Sequence, residues 1–299
     1  MSTLTPLAGD CFYLPGNVNV GVVLNPDGDA ILVDSGGDKN YGRTIRRALE
    51  AAGRRPIALI NTHSHADHYG GNDYLARNLD LPVWAPEVEE AVLRYPYLEP
   101  MYLYGGASPL AGLRNKWLEG KPSPVNHVYE VVDGPLEVAG VTVERIVTSG
   151  HAVRQVALGV GEVCYAADAF FGAEVLDKYE IPFVHDVAGQ IASLERLPTL
   201  PYVIFLPGHG EPTRDIEAAV AANRAAIDQA TEWVLRAVAQ PATTSEVVHD
   251  VTSQLDAPPT ALSTYFLMQS CVLAYLSWLT ALGEIEPLVE GGALRWHPR

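Results

Sequence analysis

An α/β fold, with two β-sheets packed face to face and helices on the outside, is what this sequence predicts. Short apolar runs recur in two groups, near residues 11–14, 20–25, 30–34, 57–61 and 82–85, then near 129–132, 136–147, 155–160, 163–167 and 202–206. Helical patterns separate some of these runs, so each half of the chain reads as strands followed by helices. A sheet with an apolar face must bury it against another layer, which favours the paired-sheet arrangement. In addition, several of the runs end on a residue that can bind a metal, at the point where a strand gives way to a loop. Loops held by a rigid sheet are where sites are usually built.

The elements follow in order. Residues 40–52 place Ile45, Ala48, Leu49 and Ala52 on one helical face, with Gly53 as the stop. Residues 72–78 and 87–95 read as short helices. The stretch 95–127 breaks the pattern, with five prolines and four glycines among Tyr95, Tyr97, Tyr102, Tyr104, Arg114, Lys116 and Trp117. A long irregular segment inside a compact domain is a functional loop or is disordered, and the aromatics argue for order. Because it separates His68 from His151, it is expected to be a lid-like insertion walling a pocket through Tyr102, Tyr104 and Trp117. A subunit contact is the alternative.

Residues 187–197 form another helical pattern, and 215–240 a long one with Ile216, Val220, Ile227, Val234, Leu235 and Val238 at helical spacing. Pro241 ends it. Thr243-x-x-Glu246 then reads as a capping box for a helix running to about Leu255. Residues 262–282 contain no charged side chain, and that length suits a membrane span. Yet Ser263, Thr264, Gln269, Ser270, Ser277 and Thr280 interrupt the run, and Pro258-Pro259 and Gly283-Glu284 bracket it as a start and a stop. A buried helix is expected, with a subunit contact and a homo-oligomer left open. Residues 285–296 read as a β-hairpin turning at Gly291-Gly292. The chain therefore divides into 1–240, carrying the 95–127 insertion, and a small tail, 241–299.

Charge narrows the partners. Twenty Lys and Arg against 36 Asp and Glu leave a net charge of −16. The tail holds Glu246, Asp250, Asp256, Glu284, Glu286 and Glu290 against only Arg295 and Arg299. Nucleic-acid binding rests on cations that neutralise phosphates, so none is expected here. Cys11, Cys164 and Cys271 are isolated, which supports neither a disulfide framework nor a cysteine-zinc site. The first residues, Met1 to Pro6, have neither a basic start nor an apolar core. No signal peptide is expected, and a cytoplasmic location follows by default.

The chemistry concentrates in Thr62-His63-Ser64-His65-Ala66-Asp67-His68-Tyr69-Gly70-Gly71, directly after an apolar run. His63 and His65, two apart, can reach one cation from an extended segment, while Asp67 and His68 lie past the bend and point at a second. Four more ligand-type residues sit at strand ends: Asp34 after Ala30-Ile31-Leu32-Val33, His151 after Ser149-Gly150, Asp168 after Ala166-Ala167, and His209 in Pro207-Gly208-His209-Gly210. His185, downstream of Asp168, is a further candidate for the pocket lining.

The order Asp34, His63-x-His65-x-Asp67-His68, His151, Asp168, His209 resembles the metallo-β-lactamase-fold hydrolase superfamily over roughly residues 10–215. That resemblance implies a four-layer αββα sandwich. It also implies a first metal on His63, His65 and His151, a second on Asp67, His68 and His209, and Asp168 bridging them. Asp34 would orient the ligand loop from behind. Members that reduce oxygen at two irons carry Glu where this chain has His65, and the true β-lactamases lack the bridging aspartate. The chain is thus more similar to the hydroxyacylglutathione hydrolase, lactonase and phosphodiesterase branches. Its helix-helix-hairpin tail is similar to the winged-helix extension of some members.

The expectation is a dinuclear metallohydrolase in which two divalent ions, zinc or alternatively iron or manganese, activate water against a small thioester, ester or lactone. Asp67 and Asp168 are its catalytic carboxylates. Hydrolysis of a phosphodiester or a β-lactam is the alternative. A catalytically idle, DNA-binding regulator is a third reading, opposed by the acidic tail and the complete ligand set.

Overall fold

The structure, a computed structural model, describes residues 3–299. Seven strands form the first sheet in sequential order: β1 (Thr5–Ala8), β2 (Cys11–Leu14), β3 (Val20–Leu24), β4 (Ala30–Val33), β5 (Pro56–Ile60), β6 (Val83–Pro86) and β7 (His127–Tyr129). Strands β1 to β4 pair antiparallel, and β4 to β7 run parallel. Between them lie α1 (Lys39–Ala51), α2 (Ala66–Tyr69), α3 (Asn72–Leu79), α4 (Glu89–Arg94) and α5 (Leu98–Leu103).

The second sheet holds β8 (Gly134–Val138), β9 (Val141–Val147), β10 (Val156–Val160), β11 (Val163–Ala167) and β12 (Ile204–Pro207), in the order β12-β11-β10-β9-β8. Its helices are α6 (Ala173–Tyr179), α7 (Val187–Arg196) and α8 (Ile216–Ala237). The tail adds β13 (Ala242–Thr243), α9 (Thr244–Thr252), α10 (Leu262–Leu282), β14 (Ile285–Glu290) and β15 (Ala293–Pro298).

The two-residue period of a strand sorts the apolar side chains into layers. Ile31 and Val33 of β4 and Ala58 and Ile60 of β5 face Val163 and Tyr165 of β11 and Ile204 and Leu206 of β12, filling the space between the sheets. One residue out of phase, Ala30 and Leu32 pack outward against Ile45 and Leu49 of α1 and Leu75 of α3. Likewise Cys164 and Phe205 face outward to Val187 and Leu194 of α7 and Ile227, Ala230 and Val234 of α8. The result is a four-layer αββα sandwich. The Tyr165 hydroxyl joins the sheets, lying 3.1 Å from the carbonyl oxygens of Phe12 and of Val22.

The tail joins the outer core of the second half. Val247, Val248 and Val251 of α9, Cys271, Val272, Tyr275, Leu276 and Leu279 of α10, and Trp296 of β15 belong to the same cluster as α7 and α8. Helix α10 is long and apolar enough to cross a membrane by length and composition, but one face of it is buried in this cluster. The capping box forms as expected: Thr243 N–H donates to Glu246 Oε2 at 2.7 Å, and Glu246 N–H donates to Thr243 Oγ1 at 3.3 Å. The hairpin turns on Gly291 and Gly292, whose φ angles of 57° and 82° suit a two-residue connection.

Some elements differ from the sequence reading. The 95–127 segment is not irregular throughout: it contains α5 and a single 3₁₀ turn at Ala111–Leu113. Pro100 is compatible with α5 because it sits in the first turn, where backbone N–H groups lack helical partners. Leu103, Leu113 and Leu118 form a small core of their own, against which Phe266 and Leu267 of α10 pack. The run 136–147 is two strands, β8 and β9, folded at Ala139-Gly140, both with positive φ. Helix α6 gave no apolar face to read because it buries no residue.

Candidate metal centre

Strand ends deliver the ligand-type side chains. Asp34 follows β4, the His63-to-His68 segment follows β5, and His151, Asp168 and His209 follow β9, β11 and β12. The carboxyl ends of parallel strands are the usual place for a ligand site in such sheets. All seven residues expected as ligands fall into three overlapping groups, His63/His65/His151, His63/His68/Asp168 and Asp67/His68/His209, with ligand atoms in each within 4.8 Å of one another. Asp168 is central to the set. Its Oδ1 lies 3.4 Å from His68 Nε2, and its Oδ2 lies 3.2 Å from His151 Nε2 and 3.5 Å from His209 Nε2.

These residues fit divalent cations. His63 Nε2, His68 Nε2 and Asp168 Oδ1 are buried and have no hydrogen-bond partner. Buried polar atoms are normally satisfied, so three such atoms converging on one space match what a cation would complete. The mixed imidazole and carboxylate set suits zinc, iron or manganese.

Hydrogen bonds behind the ligands fix which ring nitrogen is free. The Asp34 carboxylate accepts from Thr62 N–H (2.9 Å), Thr62 Oγ1 (2.8 Å) and Asn61 Nδ2 (3.3 Å), and its Oδ2 lies 2.8 Å from His68 Nδ1. Thr62 Oγ1 is in turn 3.0 Å from His63 Nδ1. One carboxylate therefore orients two imidazoles, one directly and one through a threonine, leaving both Nε2 atoms for a metal. His151 Nδ1 donates to Phe183 O at 2.9 Å and His209 Nδ1 to Asn17 O at 2.7 Å. Since a carbonyl only accepts, Nε2 is the atom these rings turn toward the other ligands. Asn19, which the sequence reading passed over, anchors the His209 loop by donating from Nδ2 to Pro207 O (3.0 Å) and Gly210 O (2.6 Å). At Gly208 a Cβ would stand 2.1 Å from Asp168 Oδ1, so only glycine fits beside that carboxylate.

Burial holds the pKa values of His63, His65 and His151 below the ordinary imidazole range, His65 at about 3. They are neutral at pH 7, as metal ligands must be. Burial opposes ionisation of Asp168, but His209, His68 and His151 outweigh it and hold the carboxyl well below its usual range. Asp67 follows the same balance, with burial outweighed by His209 and His68. Burial likewise works against charged His68 and His209, and Asp168 overcomes it at both.

Residues 13–209 match the profile of the metallo-beta-lactamase superfamily. The chain belongs to that superfamily. It is similar to a probable metallo-hydrolase, YqgX, of Bacillus subtilis (strain 168), with 29% identity over 196 residues that cover 64% of this chain and 84% of that one. It is also similar to a hydroxyacylglutathione hydrolase of Xylella fastidiosa (strain M12), 39% identical over 80 residues, a match spanning 26% of this chain and 29% of that enzyme. Among solved structures, a metallo-beta-lactamase family protein from Thermus thermophilus superposes with a TM-score of 0.76 at 22% identity, covering 98% of this chain and 100% of that one. A beta-lactamase domain protein from Burkholderia ambifaria gives 0.75 at 20% identity, covering 99% and 93%. As a member of the metallo-beta-lactamase superfamily with its ligand cluster assembled, the chain is a metal-dependent hydrolase.

The surroundings of this metallo-hydrolase site differ from the sequence expectation in detail. Phe183 lies edge-on to His65 and His151, with ring centroids 5.5 Å and 5.7 Å away, and Phe171 lies 5.5 Å from His151. Both were missed, although Phe171 stands three residues after Asp168. His185 is exposed, and only its backbone N–H engages the site loop, donating to Gly150 O at 2.9 Å. Tyr104 packs against Phe266 of α10 at 5.3 Å. Trp117 is 61% exposed, with Lys116 Nζ 4.6 Å from its ring centre, and Lys116 pairs with Asp38 at 3.3 Å. The insertion is thus held at two points, by Tyr104 on α10 and by Lys116 on the loop after β4, and Tyr102 is 46% exposed. Its Glu99 is buried, and among the described residues its carboxylate makes no hydrogen bond or ion pair.

Proposed function

We propose that the chain is a dinuclear hydrolase of small acyl substrates: a thioester, an ester or a lactone. The observation that carries this reading is the split of the Asp168 carboxylate, one oxygen toward His68 and the other toward His151 and His209. In this reading His63, His65 and His151 would hold one ion, Asp67, His68 and His209 would hold the other, and Asp168 would serve both. When bound, two divalent cations would supply a water nucleophile at neutral pH and polarise the acyl oxygen. Asp67 and Asp168 are held ionised and would accept hydrogen bonds from that water. Asp34 keeps His63 and His68 in the tautomer that presents Nε2.

The rings of Phe171 and Phe183 give the site an apolar side that suits an acyl group, as pockets are mostly apolar with few polar anchors. The partial likeness to hydroxyacylglutathione hydrolase favours a thioester. The acidic tail supports a small molecule over nucleic acid as partner. The test is one panel at equal concentrations of zinc-, iron- and manganese-loaded protein: an acyl thioester, a lactone, a β-lactam and a bis-aryl phosphodiester. Fastest cleavage of the thioester or lactone is expected. Fastest cleavage of the phosphodiester or the β-lactam overturns the acyl reading.

A further inference from the structure

We infer that Glu89 is a positioning residue that clamps together the two loops carrying His63, His65 and His151. Glu89 opens α4, outside every motif that marks the ligands, and is 3% exposed. Its Oε2 accepts from Ser64 N–H at 3.0 Å and from the Ser64 hydroxyl, and its Oε1 accepts from Arg154 N–H at 2.8 Å. Ser64 stands between His63 and His65, and Arg154 stands three residues after His151. Among the described residues no cation pairs with Glu89. A buried carboxylate without a counter-charge is costly unless fully hydrogen-bonded. Here the bonds go to the two loops whose separation sets the distances within His63/His65/His151.

The backbone supplies a second, independent sign. Val88, immediately before Glu89, has φ 72° and ψ −53°, the region of the rare and strained γ-turn. A β-branched residue at positive φ is a true outlier. Val88 is 53% exposed, so its own side chain gains little packing in return. What the turn accomplishes is to aim the next residue, Glu89, inward from the end of β6. Strain of this kind persists where the surrounding structure over-determines it, and it clusters at functional sites. His65 Nδ1 and His151 Nε2 approach to 2.7 Å, so a slip of either loop would alter that ligand group first. Asp67, His68 and His209 do not touch the clamp.

The inference rests on the metal-hydrolase reading, and its test separates the two. Metal-free wild type and Glu89→Gln are titrated with Zn²⁺ against a chromophoric chelator, and binding at the two sites is resolved. All three donors point at the carboxylate, so a Gln amide must set its NH₂ against at least one of them. Loss of an outer partner in metal sites costs about 10–100-fold in affinity. Glu89→Gln should therefore lose about that much at one site and change less than about 3-fold at the other. Ser64→Ala, which removes only the hydroxyl bond, should show the same asymmetry in smaller measure and provides the reading if Glu89→Gln does not fold. Wild-type affinity at both sites, or equal weakening at both, overturns the clamp. A wild type that binds no Zn²⁺ overturns the metal reading itself.

Discussion

Asp34 and Glu99 are both buried carboxylates near the same ligand cluster, and they are held in opposite ways. Asp34 has four partners among Asn61, Thr62 and His68. Glu99 has none among the described residues, and burial followed by the Asp67 and Glu89 charges pushes its pKa well above the ordinary carboxyl range. The same contrast separates the two regions they belong to. Around Asp34, Asn72 donates to Asn61 Oδ1 at 2.6 Å, and the Ser35 hydroxyl donates to Asn72 Oδ1 at 2.6 Å. The insertion around Glu99 rests instead on a small leucine core and exposed aromatics. The ligand cradle is over-determined, whereas the insertion leaves polar capacity unused.

Breaking the cradle should have the largest effect. Asp168→Ala should lower kcat/KM by about 10³-fold or more, because several kcal/mol of transition-state stabilisation leave with the ions. Steady-state kinetics on the best substrate of the panel checks this, and retention of a tenth of the activity contradicts it. Asp34→Ala should act one step removed, weakening metal affinity by about 10–100-fold while excess metal restores part of the rate. No rescue by metal would mean that Asp34 serves the fold rather than the ligands.

Changes in the insertion should be milder and of a different kind. Trp117→Ala should raise KM by up to about 10-fold at unchanged kcat, if its contact with substrate is uniform between ground and transition states. Its exposure leaves the melting temperature little affected, and a fall in kcat alone would count against a binding role.

Glu99 gives a sign test by pH in metal-free protein. A carboxyl whose folded pKa is raised retains a proton that the unfolded chain releases. The stability tied to that proton is fully present below the unfolded value of about 4.3 and is lost as pH rises toward the folded pKa, at up to about 1.4 kcal/mol per unit. Glu99→Gln has no such proton, so the variant should gain on wild type as pH rises above about 4.5. Thermal melts of both proteins across pH read it directly, and a constant difference shows that the Glu99 pKa is ordinary.

Legibility in the sequence follows the same divide. Strands β3 to β5 and β9 to β12 announced themselves because each buries one or both faces, and the ligands because metal chemistry demands particular residue types at strand ends. The capping box and the Gly-Gly turn were legible for the same reason: local geometry leaves few alternatives. Helix α5 was hidden by Pro96 and Pro100, which read as breakers although Pro100 sits where a helix tolerates it. Phe171, Phe183, Glu89 and Asn19 were invisible because their roles arise only when loops distant in sequence meet. Glu89 contacts Arg154 across 65 positions, and Asn19 contacts Pro207 across 188. No periodicity or motif encodes such a pairing.

The central claim, that one aspartate joins two metal positions, is tested most directly by elemental analysis of protein purified without chelator. Wild type should contain about two divalent ions per chain, and Asp168→Ala, folded by circular dichroism, should lose both. One ion or none in the wild type, or a full complement in Asp168→Ala, would contradict it.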